Sequence, residues 1–107
     1  MNFDDLQKRA IEIRKQYDAF NAAKRGVTWN EQDLMAGFVG DVGKLSKIIM
    51  AKHGLRGMDD IDAKLAHELS DCLWSVLVLA DKYKIDLAAE FAKTMDELQA
   101  RIARGDA

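Results

Sequence analysis

Proline is absent from the 107 residues, cysteine occurs once, and no apolar run is long. Without proline, no position has a locked φ or a missing N–H to break a helix. Turn-rich stretches are few, and Ala, Leu, Lys, Glu and Asp dominate, so the composition favours helix. The lone Cys72 has no intramolecular partner, which points to a reducing cytoplasm. The longest apolar run, "CLWSVLVLA", has nine residues, against the roughly 20 that span a bilayer, so no membrane role is expected. The opening "MNFDDLQKRA" is charged and carries no apolar run, unlike a secretory signal. A formal net charge of −2 leaves no positive excess for coating nucleic acid. The expectation is a single all-α domain over residues 1–107, with 49% apolar residues to build one core.

Period and punctuation predict four main helices. The first runs from about Phe3 to Ala23, with Leu6, Ala10, Ile13, Tyr17 and Phe20 along one side and Gly26 as a left-handed cap. Thr28 and Glu31 fit a capping box for the second, which runs to about His53 and stops at Gly54. The third spans about Asp60 to Tyr83, and Asp86 caps a fourth that reaches about Arg101. The tail "RGDA" is expected to fray.

The second helix contains "AGFVGDVGKLSK", with Gly37, Gly40 and Gly43 at every third position. A phosphate-binding P-loop fails here: Phe38 stands where its first glycine belongs, and Leu45 replaces the hydroxyl residue. Leu34, Phe38, Val42, Leu45 and Ile49 instead carry a helical stripe straight through the glycines. Each interior glycine costs about 1 kcal/mol relative to alanine. The row of glycines therefore predicts close approach by another helix or a ligand.

Asp41 falls near the middle of this stripe, where an ionised carboxylate is costly unless it is paired or bound to a metal. Lys44, three residues on, supplies the plainer explanation, an Asp41–Lys44 pair. The third helix adds "HELSDCLWSVLVLA", in which Glu68 and Asp71 stand one turn apart, beside Leu65, Leu69, Leu73, Val76 and Leu77 as its buried side. Two carboxylates at this spacing suit a hard cation, although an isolated E-x-x-D is more often a solvated edge. A carboxylate on a second, facing helix strengthens the metal reading.

Other polar and aromatic residues rank lower. His67-Glu68 does not complete H-E-x-x-H, because Asp71 stands at the second histidine, and Cys72 lies on another side of the helix. His53 suits a helix C-terminus, and Cys72 reads as a small core residue. Trp29 and Trp74 read as packing anchors or oligomer contacts, and the basic pieces of the first helix as a solvated face.

"WNEQDLMAGFVGDVGKLSKIIMAKHG" followed by "KLAHELSDCLWSVLVLADKYKIDLAAEFAKTMDEL" resembles the MazG-like all-α nucleotide pyrophosphohydrolases, over residues 28–102. The family pairs E-E-x-x-E on one helix with E-x-x-D on the next. The second half is intact as Glu68 and Asp71. In the first half Gly40 and Asp41 stand at the paired glutamates and Lys44 at the third, so only Asp41 keeps an acid. The asparagine that the family's last helix often adds for the nucleotide has no match in "KTMDELQARI".

The resemblance implies a MazG-like helical bundle, packed into dimers or tetramers with sites near the interface. It also implies cleavage of the α–β linkage of a nucleoside triphosphate to monophosphate and pyrophosphate. Asp41, Glu68 and Asp71 would hold magnesium, or manganese in its place, and Lys44 would face phosphate. Replacing the motif's five carboxylates by three, a glycine and a lysine leaves the site at about −2, fewer negative charges than the full motif, which weakens cation binding. The alternative is a catalytically degenerate nucleotide-binding or assembly module on the same fold. In either case the third helix is apolar on too much of its circumference for one short chain to cover. A homo-oligomer is expected, with a dimer favoured over a tetramer.

Overall fold

The computed structural model describes residues 1–106, and among these it is helical with no strand. The four helices are α1 (Phe3–Arg25), α2 (Glu31–Lys52), α3 (Ile61–Lys82) and α4 (Leu87–Arg104). Ala107, at the end of the tail expected to fray, lies outside the described residues.

The ends follow from short polar caps. Asn2 accepts from the Asp5 amide at 2.9 Å while the Asp5 side chain reaches back, and Gly26 closes α1 at φ 65°. The capping box of α2 is Asn30 with Asp33, not Thr28 with Glu31. Both pairs fit the S/T/N-x-x-D/E pattern, but the chain turns into the helix only after Asn30, which leaves Thr28 outside. Asp60 precedes α3 in a left-handed conformation, φ 53°, without a side-chain cap. Asp86 caps α4 through the Ala89 amide at 3.2 Å.

α2 and α3 pair antiparallel along their full length. Lys52 meets Asp62 at the loop end, and Lys82 lies 3.8 Å from Glu31 at the other. Between them Leu34, Ile48 and Ala51 of α2 are buried with Leu77, Val78 and Ala80 of α3. Burying each large aliphatic side chain contributes on the order of 1.5–3 kcal/mol. α1 crosses onto α3, where the Trp74 indole N–H donates to the Ala10 carbonyl at 3.1 Å. Tyr17 meets the Trp74 ring edge-on at 6.0 Å.

One expectation about faces is overturned. Leu69 and Leu73, read as part of the buried side of α3, are 52% and 47% exposed. Glu68 and Asp71 are instead half-buried, and Ser75 is buried. Between Glu68 and Leu73, α3 thus turns its two acids towards the rest of the chain and Leu69 and Leu73 away. Within the chain no other helix packs on the glycine row of α2. A Cβ at Gly40 or Gly43 would meet nothing within 4 Å, and one at Gly37 would touch only Trp29, at 3.6 Å.

α4 buries no residue. Phe91 and Ile102 on its apolar stripe are 61% and 68% exposed. The radius of gyration is 17.1 Å, against about 13 Å for a compact chain of this length. The accessible surface is 7871 Å², about 1,900 Å² more than the ~6,000 Å² expected for a monomer of this mass. No described helix is long and apolar enough to cross a membrane.

Candidate functional site

A cavity of about 530 Å³ opens between α1, α2 and α3. α2 and the turn before it supply Trp29, Leu34, Gly37 and Asp41. α3 supplies Ser70, Asp71, Trp74 and Ser75. α1 contributes Arg14, Tyr17, Asp18 and Asn21, positions that helical spacing places on one face, along with Ile13 and Arg25. Gly37 leaves the floor beside Trp29 without a side chain, and Trp74 is held by its bond to Ala10. Three aromatic rings and a set of charged and amide groups therefore share one concave space, the usual composition of a small-molecule site.

Asp41 and Asp71, on facing helices, both border this cavity. Glu68 lies one turn before Asp71, and its Oε2 is buried without a hydrogen-bond partner. The ligand atoms of Glu68, Asp71 and His67 lie within 4.8 Å of one another. His67 Nε2 is 3.1 Å from Asp71 Oδ2. Asp41 stands outside this tight group but shares its electrostatic field at Cys72. The Cys72 thiol is pushed above its usual range, first by burial and then by the charges of Asp41, Glu68 and Asp71. All three carboxylates therefore oppose ionisation of one thiol.

Lys44 does not neutralise them. No Asp41–Lys44 ion pair occurs among the described residues: Asp41 is half-buried at the cavity edge, whereas Lys44 is exposed. Lys44 lines a second, shallower cleft of about 290 Å³ further along the α2–α3 pair. There it joins Lys47, Lys64 and His67, with Glu68 at the cleft wall. The acids thus sit between an aromatic cavity and a basic cleft, Asp71 bordering the first and Glu68 the second.

Several of these residues escape a sequence reading. Trp29 and Trp74 line the cavity as well as packing the helices. Arg14 belongs to a stretch read as a solvated face, yet its side chain is only 19% exposed, its Nε is buried without a partner, and Asp18 lies 3.4 Å away. The signal available was Asn21. It is a buried amide on the apolar side of α1, where its Oδ1 accepts from Arg25 at 2.6 Å. No family model matches the chain, and neither does any curated protein or solved structure.

Proposed function

We propose that the chain is a divergent MazG-like nucleotide pyrophosphohydrolase, acting as a homodimer in the cytoplasm and cleaving the α–β phosphoanhydride of a nucleoside triphosphate. The observation that carries this reading is that Asp41 and Asp71 line one cavity with Tyr17, Trp29 and Trp74. Aromatic faces suit a flat base, and carboxylates in the same cavity suit a cation that escorts its phosphates.

Part of the donor set suits a divalent cation: Glu68 and Asp71 lie with His67 within 4.8 Å of one another, and Asp41 stands outside that group. Asp41 and Glu68 have no cationic partner among the described residues, Glu68 Oε2 is buried and unsatisfied, and the three charges add at Cys72. Magnesium bound by Asp41, Glu68 and Asp71 would screen the phosphate charge and supply an activated water. Lys44, with Lys47 and Lys64, attracts the departing pyrophosphate as point charges in the basic cleft. Tyr17, Trp29 and Trp74 orient the base, which converts part of the reaction's entropy cost into binding.

The second reading, a non-catalytic nucleotide-binding or assembly module, draws on Gly40 and Lys44 at positions where the resemblance expects acids. A screen of nucleoside triphosphates for pyrophosphate release with magnesium separates the two. Release that Asp71→Ala abolishes supports the enzyme. No release from any nucleotide, with melting temperature still raised by nucleotide, supports the module.

A second copy of the chain is the proposed cover for the exposed apolar faces. Leu69 and Leu73 of α3 and Phe91, Leu98 and Ile102 of α4 are all exposed. The surplus surface of about 1,900 Å² is ample for the roughly 800 Å² that each partner of a standard interface buries.

A further inference from the structure

His67 has no part in the proposed magnesium site, yet it is the side chain that meets Asp71 most directly. Its Nε2 lies 3.1 Å from Asp71 Oδ2, and the two side chains are 71% and 40% exposed, so an ion from solvent reaches both. They stand one turn apart on α3, at the i and i+4 spacing that puts two side chains on one face. The histidines of a zinc-binding H-E-x-x-H share this spacing, and Asp71 occupies the second place. As an exposed pair, His67 and Asp71 contribute little to stability, so a ligand displaces their contact at small cost.

The separation itself suits a chelate. Metal bonds of about 2.1 Å to nitrogen and oxygen, at tetrahedral or octahedral angles, set neighbouring donor atoms about 3.0–3.4 Å apart. The His67–Asp71 distance of 3.1 Å falls in that range. Glu68 offers a third donor atom within 4.8 Å of both, whereas Asp41 stands outside the group. One nitrogen and two carboxylates therefore gather on a single rigid helix, and the solvent side stays open for water. Three protein ligands and an open position are the usual arrangement of a reactive zinc.

We propose that His67, Glu68 and Asp71 hold a transition-metal ion of the zinc type, in preference to magnesium. Imidazole suits zinc, cobalt and nickel, while magnesium takes oxygen ligands and sheds its water reluctantly. The surroundings act in the same direction. Lys44, Lys47 and Lys64 line the cleft with His67 and Glu68, and their positive charges oppose any cation held by charge alone. A coordinate bond to a neutral imidazole does not depend on that balance. The ion shares Glu68 and Asp71 with the proposed magnesium but takes His67 in place of Asp41, and its binding does not rest on the hydrolase reading.

The test reads binding, not turnover. Full-length protein is stripped with EDTA, dialysed and titrated with cobalt, whose visible absorption reports coordination, then with zinc as competitor. Zinc and magnesium are also compared by the rise in melting temperature. One cobalt per chain is expected, displaced by zinc, with zinc at least about tenfold tighter than magnesium. His67→Gln, a change at an exposed side chain with the fold checked by circular dichroism, is expected to weaken cobalt and zinc by about tenfold or more. Asp41→Asn and His53→Gln are expected to leave both unchanged. Magnesium binding as tightly as zinc, or a cobalt spectrum that survives His67→Gln, overturns the proposal. So does a spectrum lost in Cys72→Ser but kept in His67→Gln, which would assign the ion to the thiol. Zinc binding without pyrophosphate release removes only the hydrolase reading, and magnesium-dependent release without a cobalt signal removes only this site.

Discussion

Trp74 and Ala10 are 64 positions apart in sequence, yet the indole N–H of one donates to the backbone carbonyl of the other at 3.1 Å. This bond fastens α1 to α3 and fixes the ring that walls the cavity. Trp74→Phe retains most of the packing and deletes the donor. A loss of about 1 kcal/mol is expected, seen as a lower urea midpoint with an unchanged slope. The same variant is expected to weaken nucleotide binding, because α1 carries Arg14 and Tyr17 into the cavity.

Lys44→Glu restores an acid where the resemblance expects one. The side chain faces the basic cleft beside Glu68, so the added charge reaches the group that holds the cation. Magnesium is expected to raise the melting temperature of this variant more than that of the parent protein, since affinity rises with ligand charge. An unchanged magnesium response would place Lys44 outside the cation's reach.

Gly40→Ala is expected to raise stability by about 0.5–1 kcal/mol. The added methyl meets open space, and the helical backbone loses an entropic cost. Thermal melting reads the effect. A fall instead of a rise would reveal a neighbour that presses on this row only in the assembled protein.

The Cys72 thiol is held above its usual range by burial and by three carboxylates, so its reactive thiolate is scarce at neutral pH. Alkylation by iodoacetamide at pH 7.5 is expected to be slower than for a free thiol. Asp41→Asn or Asp71→Asn removes a repelling charge, lowers the thiol pKa and speeds the reaction. The sign also governs stability. Above the ordinary thiol value of 9.0, the unfolded chain releases a proton that the folded chain keeps, so this group lowers stability as pH rises. Cys72→Ala is expected to flatten that part of the profile.

Leu73→Asp places a charge on an exposed face of α3 and disturbs nothing buried within the chain. Sedimentation equilibrium is expected to show dimer for the parent and monomer for the variant. A parent that sediments as a monomer would sink the homodimer proposal.

The helices were legible because their caps and breaks are local: Gly26, Gly54 and Asp86 each act within a turn of where they sit. Periodicity also placed Asp41 among Leu34, Phe38 and Ile48, where it lies half-buried. It failed for Leu69 and Leu73, because α3 is apolar on so many sides that its pattern does not say which side meets α1 and α2. It failed for Arg14 for the opposite reason. Charged side chains bury long stems and a polar head when a neighbour requires it, and that neighbour, the α2–α3 pair, is distant in sequence. A cavity built from three helices has no local signature, so the meeting of Trp29, Tyr17 and Trp74 in one cavity emerged only from the fold.

α4 takes almost nothing from its own chain, and in the proposed homodimer its free energy of docking comes from the second copy. That makes its order a matter of mass action. In dilute protein the stripe from Phe91 to Ile102 stays wet and the helix is held only by its own hydrogen bonds, which are marginal for 18 residues. On the homodimer proposal, docking of α4 and folding of the body become one equilibrium, and the melting temperature is expected to climb with the logarithm of protein concentration.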